Sequence, residues 1–293
     1  LSHATKRALV IGIGNYPEAS GWAKINGDKD IPMVKEMLTI NGFAASNIVV
    51  LKNEQATCRA IKTELENLIT HASFGDFIYI HFSGHGQQIT DLNGDEVDDQ
   101  KDEAWIPYDA QFAFIEDVYE GENHLVDDQI NAFLHRLRSS VGENGKIIVV
   151  ADACHSGDGT RSGDDEDIDK EEECIRGTEA VFTITNIKQT INRFAAIFIN
   201  NESNITEKSN ISKPEPTPLE WIYISACQDY QCNREYKGAG SLTTALFRER
   251  MKFNEISLTT LHIKLKTFYI NNIPSPQRPM IESPEELKTE IFF

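Results

Sequence analysis

The chain has 293 residues, of which 40% are hydrophobic and 25% are charged. This composition is typical of a globular protein with one large domain, or at most two modest ones, and it excludes wholesale disorder. No apolar run approaches the roughly 20 residues that a membrane span needs. The net charge of −18 argues against nucleic acid or an anionic membrane as a partner and favours cationic partners such as basic peptides or metal ions.

Five cysteines are spread widely along the chain: Cys58, Cys154, Cys174, Cys227 and Cys232. A chain of this length does not need disulfide bonds, so we expect free thiols, a reducing compartment and a cytoplasmic location. The first residue is Leu rather than Met, which indicates that something upstream has been removed. A secreted or periplasmic protein, and further domains of a longer chain, therefore remain open.

Short and nearly continuous apolar runs predict strands that are buried on both faces, as in a parallel sheet covered by helices. These runs cover 8–13, 48–51, 77–82, 147–151 and 221–225. Apolar residues at helical spacing predict one helix after Asp30 as its N-cap, a second after Thr57 and a third that begins near Asp127 and Asp128. The same spacing predicts two more helices over 241–252 and 257–269. The alternation predicts an α/β fold with a doubly wound, mostly parallel sheet and helices on both faces.

Two polar stretches interrupt this alternation. Residues 91–103 contain seven acids and one base, and 157–218 is too long for an ordinary connection between strands. The second stretch is acidic at its start and proline-rich at its end, while its middle, 178–200, is apolar enough to pack on something. It divides the chain into 1–156, a linker over 157–218, and 219–293.

The chemistry is expected at two strand ends, because function collects at the carboxyl ends of the strands in doubly wound sheets. One strand runs into Ser83-Gly84-His85-Gly86, and another into Asp152-Ala153-Cys154-His155-Ser156-Gly157. A thiol needs a base to become a nucleophile, and His85 comes from a different strand end than Cys154. His155 is the neighbour of Cys154 in sequence and diverges from it. The alternative is coincidence, since free cysteines are commonly just buried.

These two motifs resemble the paired signature of the caspase-like cysteine peptidases, specifically the metacaspase branch in its bacterial-type form. The resemblance extends to the opening strand, loop and helix over 6–30, the acidic loop over 94–109, and the later segments 225–229 and 240–243. It covers nearly the whole chain except the linker. It implies a caspase-like α/β fold and a cysteine endopeptidase acting on proteins or peptides.

The resemblance implies a role for each matching residue. Cys154 would attack the scissile carbonyl, His85 would handle the proton, and the backbone N–H groups of Cys154 and Gly86 would stabilise the oxyanion. Metacaspases cleave after Arg or Lys with an acidic pocket, and the matching positions are Asp30, Ser83, Asp152 and Asp229. Helix capping by Asp30 and loop hydrogen bonding by the other two acids are the alternatives.

Calcium is a further implication, although the chemistry itself requires no cofactor. Residues 91–95 carry oxygen ligands at alternate positions, but Gly94 falls at the wrong position for an EF-hand. The acids that bind calcium in many metacaspases look like Asp102, Asp127 and Asp128 here. Solvated surface acids and a helix cap explain the same residues equally well.

The linker contains basic residues at Arg161, Arg176, Lys188 and Arg193. A peptidase that cuts after basic residues meets its own linker at high effective concentration. We therefore predict self-processing within 157–200, after Arg176 or Lys188, with both fragments staying associated. An inert surface insertion is the alternative.

Three other functional classes stay open: a catalytically silent caspase-like adaptor, a ligand-sensing α/β domain, and a structural module of a larger assembly. The ligand-sensing class lacks a phosphate-binding loop, since Gly12-Ile13-Gly14 has no third glycine at dinucleotide spacing.

Overall fold

The computed structural model describes residues 4–94, 96, 99–154, 175–191, 220–228, 231–252, 255–273, 277–288 and 292. The strands are β1 (Lys6–Gly12), β2 (Ile48–Lys52), β3 (Phe77–Ser83), β4 (Gly86–Thr90), β5 (Lys101–Trp105), β6 (Leu125–Val126), β7 (Lys146–Asp152), β8 (Ile222–Ser225), β9 (Glu235–Tyr236), β10 (Ala239–Gly240) and β11 (Met280–Glu282). The helices are α1 (Ile31–Ile40), α2 (Cys58–His71), α3 (Asp127–Val141), α4 (Ser241–Lys252) and α5 (Leu258–Asn272).

The central sheet has the strand order β11-β8-β7-β3-β1-β2. All neighbouring pairs are parallel except β11, which runs antiparallel to β8 at the edge. The predicted α/β fold with a mostly parallel sheet is therefore confirmed. Strand β7 precedes the linker and β8 follows it, so the segments on either side of the linker contribute to one sheet.

A second, antiparallel sheet has the order β4-β5-β6. It contains the acidic stretch, since residues 91–100 connect the antiparallel strands β4 and β5. Its strands escaped prediction because Gly86–Thr90 and Lys101–Trp105 carry mainly polar side chains.

The core lies in two layers, one on each face of the central sheet. Successive side chains of a strand point to opposite faces. Leu9, Ile80 and Val149 accordingly pack with Leu65 of α2 and Leu134 of α3, whereas the alternate positions pack in the second layer with α1, α4 and α5. Burial on both faces explains why these strands read as unbroken apolar runs.

The register of the sheet brings three strand ends together. Gly12 of β1 lies opposite Ser83 of β3, and Ser83 lies opposite Asp152 of β7. Any residue that directly follows these positions therefore emerges at the same edge of the sheet. No helix in the described part of the chain is long and apolar enough to cross a membrane.

Candidate active site

His85 and Cys154 follow two neighbouring strands that end at this edge of the sheet. His85 lies between β3 and β4, and Cys154 follows β7, which is the direct neighbour of β3. Both side chains are buried, with 2% and 1% of their surface exposed. The structure thus brings these two predicted residues to one edge, as adjacent parallel strands require.

The imidazole of His85 is held by an aromatic cluster. Trp22 stacks on it with ring centroids 4.8 Å apart, and the Tyr16 ring lies 5.0 Å away. The hydroxyl of Tyr16 accepts a hydrogen bond from the backbone N–H of His85 at 3.0 Å and donates to the carbonyl of Ile106 at 2.9 Å. These contacts fix both the backbone and the ring plane of His85.

One ring nitrogen of His85 makes a hydrogen bond and the other makes none. Nε2 donates to the carbonyl oxygen of Ala23 at 2.9 Å, which fixes the tautomer because a carbonyl can only accept. Nδ1 is buried without a hydrogen-bond partner. Burial lowers the pKa of His85 to about 4. The ring is therefore neutral near pH 7, with an unprotonated Nδ1 that can accept a proton.

The thiol of Cys154 donates to the backbone carbonyl of Gln231. A hydrogen bond with Cys154 is also the largest of the effects that raise the pKa of the Cys227 thiol well above its ordinary value; burial adds to it. Cys227 is therefore a protonated neighbour at neutral pH. The four cysteines that the structure describes are free thiols, as the sequence predicts for the described set.

An arginine of the linker, Arg176, fills a pocket of three carboxylates. Its side chain is fully buried, with Nη1 2.6 Å from Asp30 Oδ2 and 3.6 Å from Asp152 Oδ1. On the other side, Nε donates to Glu235 Oε1 at 3.1 Å and Nη2 lies 3.0 Å from the same oxygen. The three acids raise the pKa of Arg176 against the opposing effect of burial, so the guanidinium stays charged.

Asp30 points into this pocket instead of capping α1. It occupies the N-cap position, but its side chain makes no capping hydrogen bond. Its carboxylate accepts from Ser83 Oγ at 2.8 Å and from the backbone N–H of Gly240 at 2.8 Å, besides Arg176. Burial raises the pKa of Asp30 to about 6 even though the guanidinium opposes this shift. The predicted N-cap position of Asp30 is confirmed, but the alternative that its side chain serves to cap the helix is wrong. Ser83 joins the pocket through Asp30.

Asp152 ties the pocket to the segment after the linker. Its carboxylate accepts from the N–H and the hydroxyl of Thr243, both at 2.7 Å, and from the Asn233 amide at 2.8 Å. Burial favours the neutral acid, but Arg176 and these hydrogen bonds outweigh it and hold the pKa of Asp152 below its ordinary value. Asp152 is thus a charged group that faces Arg176 and anchors the start of α4.

The backbone of Arg176 lies across the two strand ends. Its carbonyl oxygen accepts from the N–H of Cys154 at 2.8 Å and from the N–H of Gly86 at 3.3 Å. Its own N–H donates to the carbonyl of Asn233 at 2.9 Å. The next residue, Gly177, is packed so closely on Cys154 that an added Cβ would collide with the Cys154 backbone and Cβ.

The chain on either side of Arg176 makes an isolated β-bridge to a neighbouring segment. Before it, Ile175 forms an antiparallel bridge with Arg234; after it, Phe182 forms a parallel bridge with Ile89 of β4. Phe182 donates to the carbonyl of Gln88 at 2.8 Å and is itself 1% exposed. The segment 175–184 is therefore held by backbone hydrogen bonds at both ends, and at Phe182 it pairs with β4 as a bound peptide pairs with the edge of a sheet.

The remaining predicted residues do not contribute to the described pocket. Asp229, His155, Arg161 and Arg193 lie outside the described residues, and Lys188 is exposed away from the pocket contacts. Glu235 was not among the predicted residues, although Gly238 could have indicated the hairpin that carries it, since the turn at Lys237 and Gly238 has positive φ at both positions. Trp22 was not predicted either, because it carries no motif signal.

The three acids considered for calcium do not form a complete site among the described residues. No group of three or more His, Cys, Asp or Glu side chains in that part of the chain is arranged to hold a metal. Asp102 lies on β5, and Asp127 and Asp128 begin α3 without capping it by their side chains. One carboxylate oxygen of Asp127 is buried without a hydrogen-bond partner, and burial together with Asp128 raises the pKa of Asp127 to about 7.

Comparison with solved structures supports the fold. A crystal structure of a Geobacter sulfurreducens protein superposes with a TM-score of 0.64, covering 98% of this chain and 97% of that one. Sequence identity between the two is 21%, so the likeness bears on the fold alone.

Comparison with curated proteins finds metacaspases. Metacaspase-3 of Arabidopsis thaliana is 33% identical over 159 residues, which cover 52% of this chain and 40% of the relative. Metacaspase-1 of Cryptococcus neoformans is 26% identical over 315 residues, which cover 98% of this chain and 64% of the relative. The chain thus spans less than two thirds of the length of these relatives.

The family model described as the metacaspase, peptidase C14 domain matches residues 6–161. This range is more than half of the chain and contains both strand ends that carry His85 and Cys154. The bacterial-type form stays a prediction. The chain belongs to the metacaspase family.

Proposed function

We propose that this metacaspase is a cysteine endopeptidase that cuts after Arg or Lys and that its first substrate is its own bond between Arg176 and Gly177. The observation that carries the proposal is the double placement of Arg176. Its side chain fills the pocket of carboxylates, while its carbonyl oxygen accepts from the N–H groups of Cys154 and Gly86. A peptide bond held at both points is presented to the thiol that follows β7.

The residues support a two-step acyl transfer. The Cys154 thiolate attacks the Arg176 carbonyl carbon after His85 Nδ1 has taken the thiol proton, and the two N–H groups stabilise the negative oxygen. Each such donor typically lowers the activation free energy by about 3 kcal/mol. His85 then protonates the Gly177 nitrogen as the peptide bond breaks. Water hydrolyses the resulting thioester and releases the carboxylate of Arg176 and the free thiol.

The contact between the Cys154 thiol and the Gln231 carbonyl belongs to a resting arrangement in this scheme. A thiol that donates to a carbonyl is stabilised in its protonated form. The first event in catalysis is then a rotation of the Cys154 side chain away from Gln231, which frees the proton for His85.

The charge of the pocket supports the choice of a basic residue. Asp30, Asp152 and Glu235 are buried around one guanidinium, and three carboxylates without a cation would repel each other strongly. An aspartate before the cut would add a fourth negative charge. Reporter peptides ending in Arg or Lys should therefore be hydrolysed, and matched Asp peptides should not.

Self-cleavage is tested by intact mass. Wild-type chain, Cys154→Ala, Arg176→Ala and Lys188→Ala should be purified, incubated and compared on one time course. Wild type and Lys188→Ala should yield a fragment ending at Arg176 together with its complement, and both fragments should elute as one particle because β7 and β8 pair.

The other two variants define failure. Cys154→Ala should stay whole, and Arg176→Ala should lose this cut. A wild-type chain that stays whole and hydrolyses no reporter would contradict the proposal and favour the silent adaptor, with Arg176 as a permanent occupant of the pocket.

Calcium modulation is a separate part of the proposal. The half-buried carboxylate of Asp127, one oxygen of which has no hydrogen-bond partner, lies next to Asp128 at a position that a cation would stabilise, although the described acids do not complete a site. Self-cleavage should be timed in EGTA and in calcium, for wild type and for Asp127→Asn. Equal rates in both buffers for wild type would remove calcium from the scheme.

A further inference from the structure

The guanidinium of Arg176 is bound on two different sides. Asp30 and the backbone carbonyl of Asp152 accept from Nη1, at 2.6 and 3.3 Å. Glu235 accepts from Nε at 3.1 Å, and the same oxygen lies 3.0 Å from Nη2. One side of the pocket therefore binds the tip of the side chain, and the Glu235 side binds the edge that carries Nε.

Glu235 is fixed in this position by its own contacts. The backbone N–H of Asn26 donates to its Oε1 at 2.6 Å, and the Asn26 amide donates to its Oε2 at 2.5 Å. The Glu235 side chain is 5% exposed, and its backbone lies in the hairpin of β9 and β10. The carboxylate is thus oriented before a substrate arrives, because neither oxygen is free to swing towards solvent.

Arginine and lysine differ at the atom that Glu235 contacts. A lysine in the same extended conformation has its Cε where arginine has Nε, and its single nitrogen lies near the position of the guanidinium carbon. Asp30 and Glu235 would have to share that single nitrogen, whereas arginine presents a separate nitrogen to each, and the methylene that replaces Nε donates nothing to Glu235. Asp30 therefore attracts either cation, whereas the Nε–H contact with Glu235 is available to arginine alone.

We propose that Glu235 is a specificity-determining residue that makes this peptidase prefer Arg over Lys before the cut. The inference rests on the proposed function and narrows its substrate class to arginine-containing peptides. It assigns to Glu235 a task different from that of Asp30, which attracts either cation.

The first test compares matched reporter peptides that differ in Arg or Lys alone. Wild type should give a kcat/KM for Arg at least about tenfold above that for Lys, and Glu235→Gln should lower this ratio by about tenfold, because a charge-assisted hydrogen bond is replaced by a neutral contact. Asp30→Asn should lower both values together. Glu255→Gln, an exposed acid after α4, is the matched control and should change neither.

The ratio separates recognition from a structural role. If Glu235 served the fold alone through Asn26, its replacement would lower both kcat/KM values equally and leave their ratio unchanged, which would overturn the inference. Failure of the wild type to cut either reporter would instead overturn the proposed function. Equal cutting of both reporters by the wild type would overturn the inference alone.

The second test needs no change at Glu235 and therefore holds even if Glu235→Gln does not fold. Arg176→Lys places a lysine in the same pocket of the otherwise unchanged chain, and self-cleavage is followed by intact mass. We expect the cut after residue 176 to slow by about tenfold or more. A cut at the wild-type rate would contradict a preference for Arg.

Discussion

Trp22 lies stacked on the imidazole of His85, with ring centroids 4.8 Å apart and ring planes inclined by 28°. Trp22 is itself 5% exposed, so its indole separates the imidazole from solvent. The low pKa of His85, about 4, arises first from this burial. The neighbouring indole thus helps to keep the proposed base unprotonated across the physiological pH range.

Trp22→Ala should therefore shift the pH dependence of catalysis. Exposure of the ring moves the pKa of His85 up towards its ordinary value of about 6.5, so a larger fraction is protonated at pH 6 and cannot accept the thiol proton. The acidic limb of the kcat/KM profile on an Arg reporter should move to higher pH. Trp22→Phe keeps an aromatic ring there and should shift the limb less; identical limbs in all three proteins would contradict the explanation.

The catalytic pair gives the second prediction. Cys154→Ala should abolish peptide hydrolysis, and His85→Ala should lower it by several orders of magnitude, since a thiol without a base is a weak nucleophile. His155→Ala should leave substantial activity. Initial rates with an Arg reporter, alongside circular dichroism to verify folding, measure this. A folded His155→Ala as inactive as His85→Ala would refute the choice of base.

The third prediction concerns Asp30. Asp30→Asn should lower kcat/KM for an Arg reporter by more than a hundredfold, because removing one partner of a buried charge pair costs about 3 to 5 kcal/mol. Asp28→Asn is the matched control, since Asp28 is two residues earlier and pairs with the exposed Lys52 at 3.1 Å. Equal losses in the two variants would mean that the pocket charge is not responsible.

Asp152 should behave differently from Asp30, which is the fourth prediction. Asp152→Ala should lower basic-residue preference and also the free energy of unfolding, because Thr243 and Asn233 lose the acceptor that they share. Leaving such buried donors unpaired costs about 1 to 3 kcal/mol each. Thermal or urea unfolding should therefore give a lower free energy of unfolding for Asp152→Ala than for Asp30→Asn. A stability equal to that of Asp30→Asn would contradict this anchoring role.

The fifth prediction uses the raised pKa of Asp127, about 7 against an ordinary 3.8. Between these two pH values the folded protein holds a proton that the unfolded chain has released, so the ionised carboxylate opposes folding more strongly as the pH rises. Asp127→Asn should therefore raise the Tm in EGTA at pH 8, and the gain should fade as the pH approaches 4. Glu54→Gln, an exposed acid, should show no such trend. A gain that is the same at every pH would contradict the assigned shift.

The sequence predicted the central sheet well because its strands are buried on both faces. The runs in β1, β3 and β7 contain almost no polar residue, so these strands can be recognised from local sequence without knowing which strands they pair with. The edge strand β11 and the antiparallel strands β4 and β5 were not predicted, since they are short or polar and owe their conformation to pairing.

The contents of the pocket were the least predictable part of the site. Arg176 follows a run of acids in sequence, which is typical of an exposed segment, yet its buried partner Asp30 is 146 residues away. Glu235 reaches the same guanidinium through a hairpin that follows β8. Such charge complementarity arises from the folded arrangement, so composition and local spacing do not reveal it.

The parallel pairing of β7 with β8 has a consequence for refolding. An uncut chain brings Ile148 opposite Ile222 within one molecule, so its recovery from denaturant should not depend on protein concentration. Once the connection has been severed, the same pairing must form between two separate polypeptides, and recovery becomes a second-order process. Self-cleavage would then convert a protein that refolds readily into one whose lifetime in the folded state depends on its rate of unfolding.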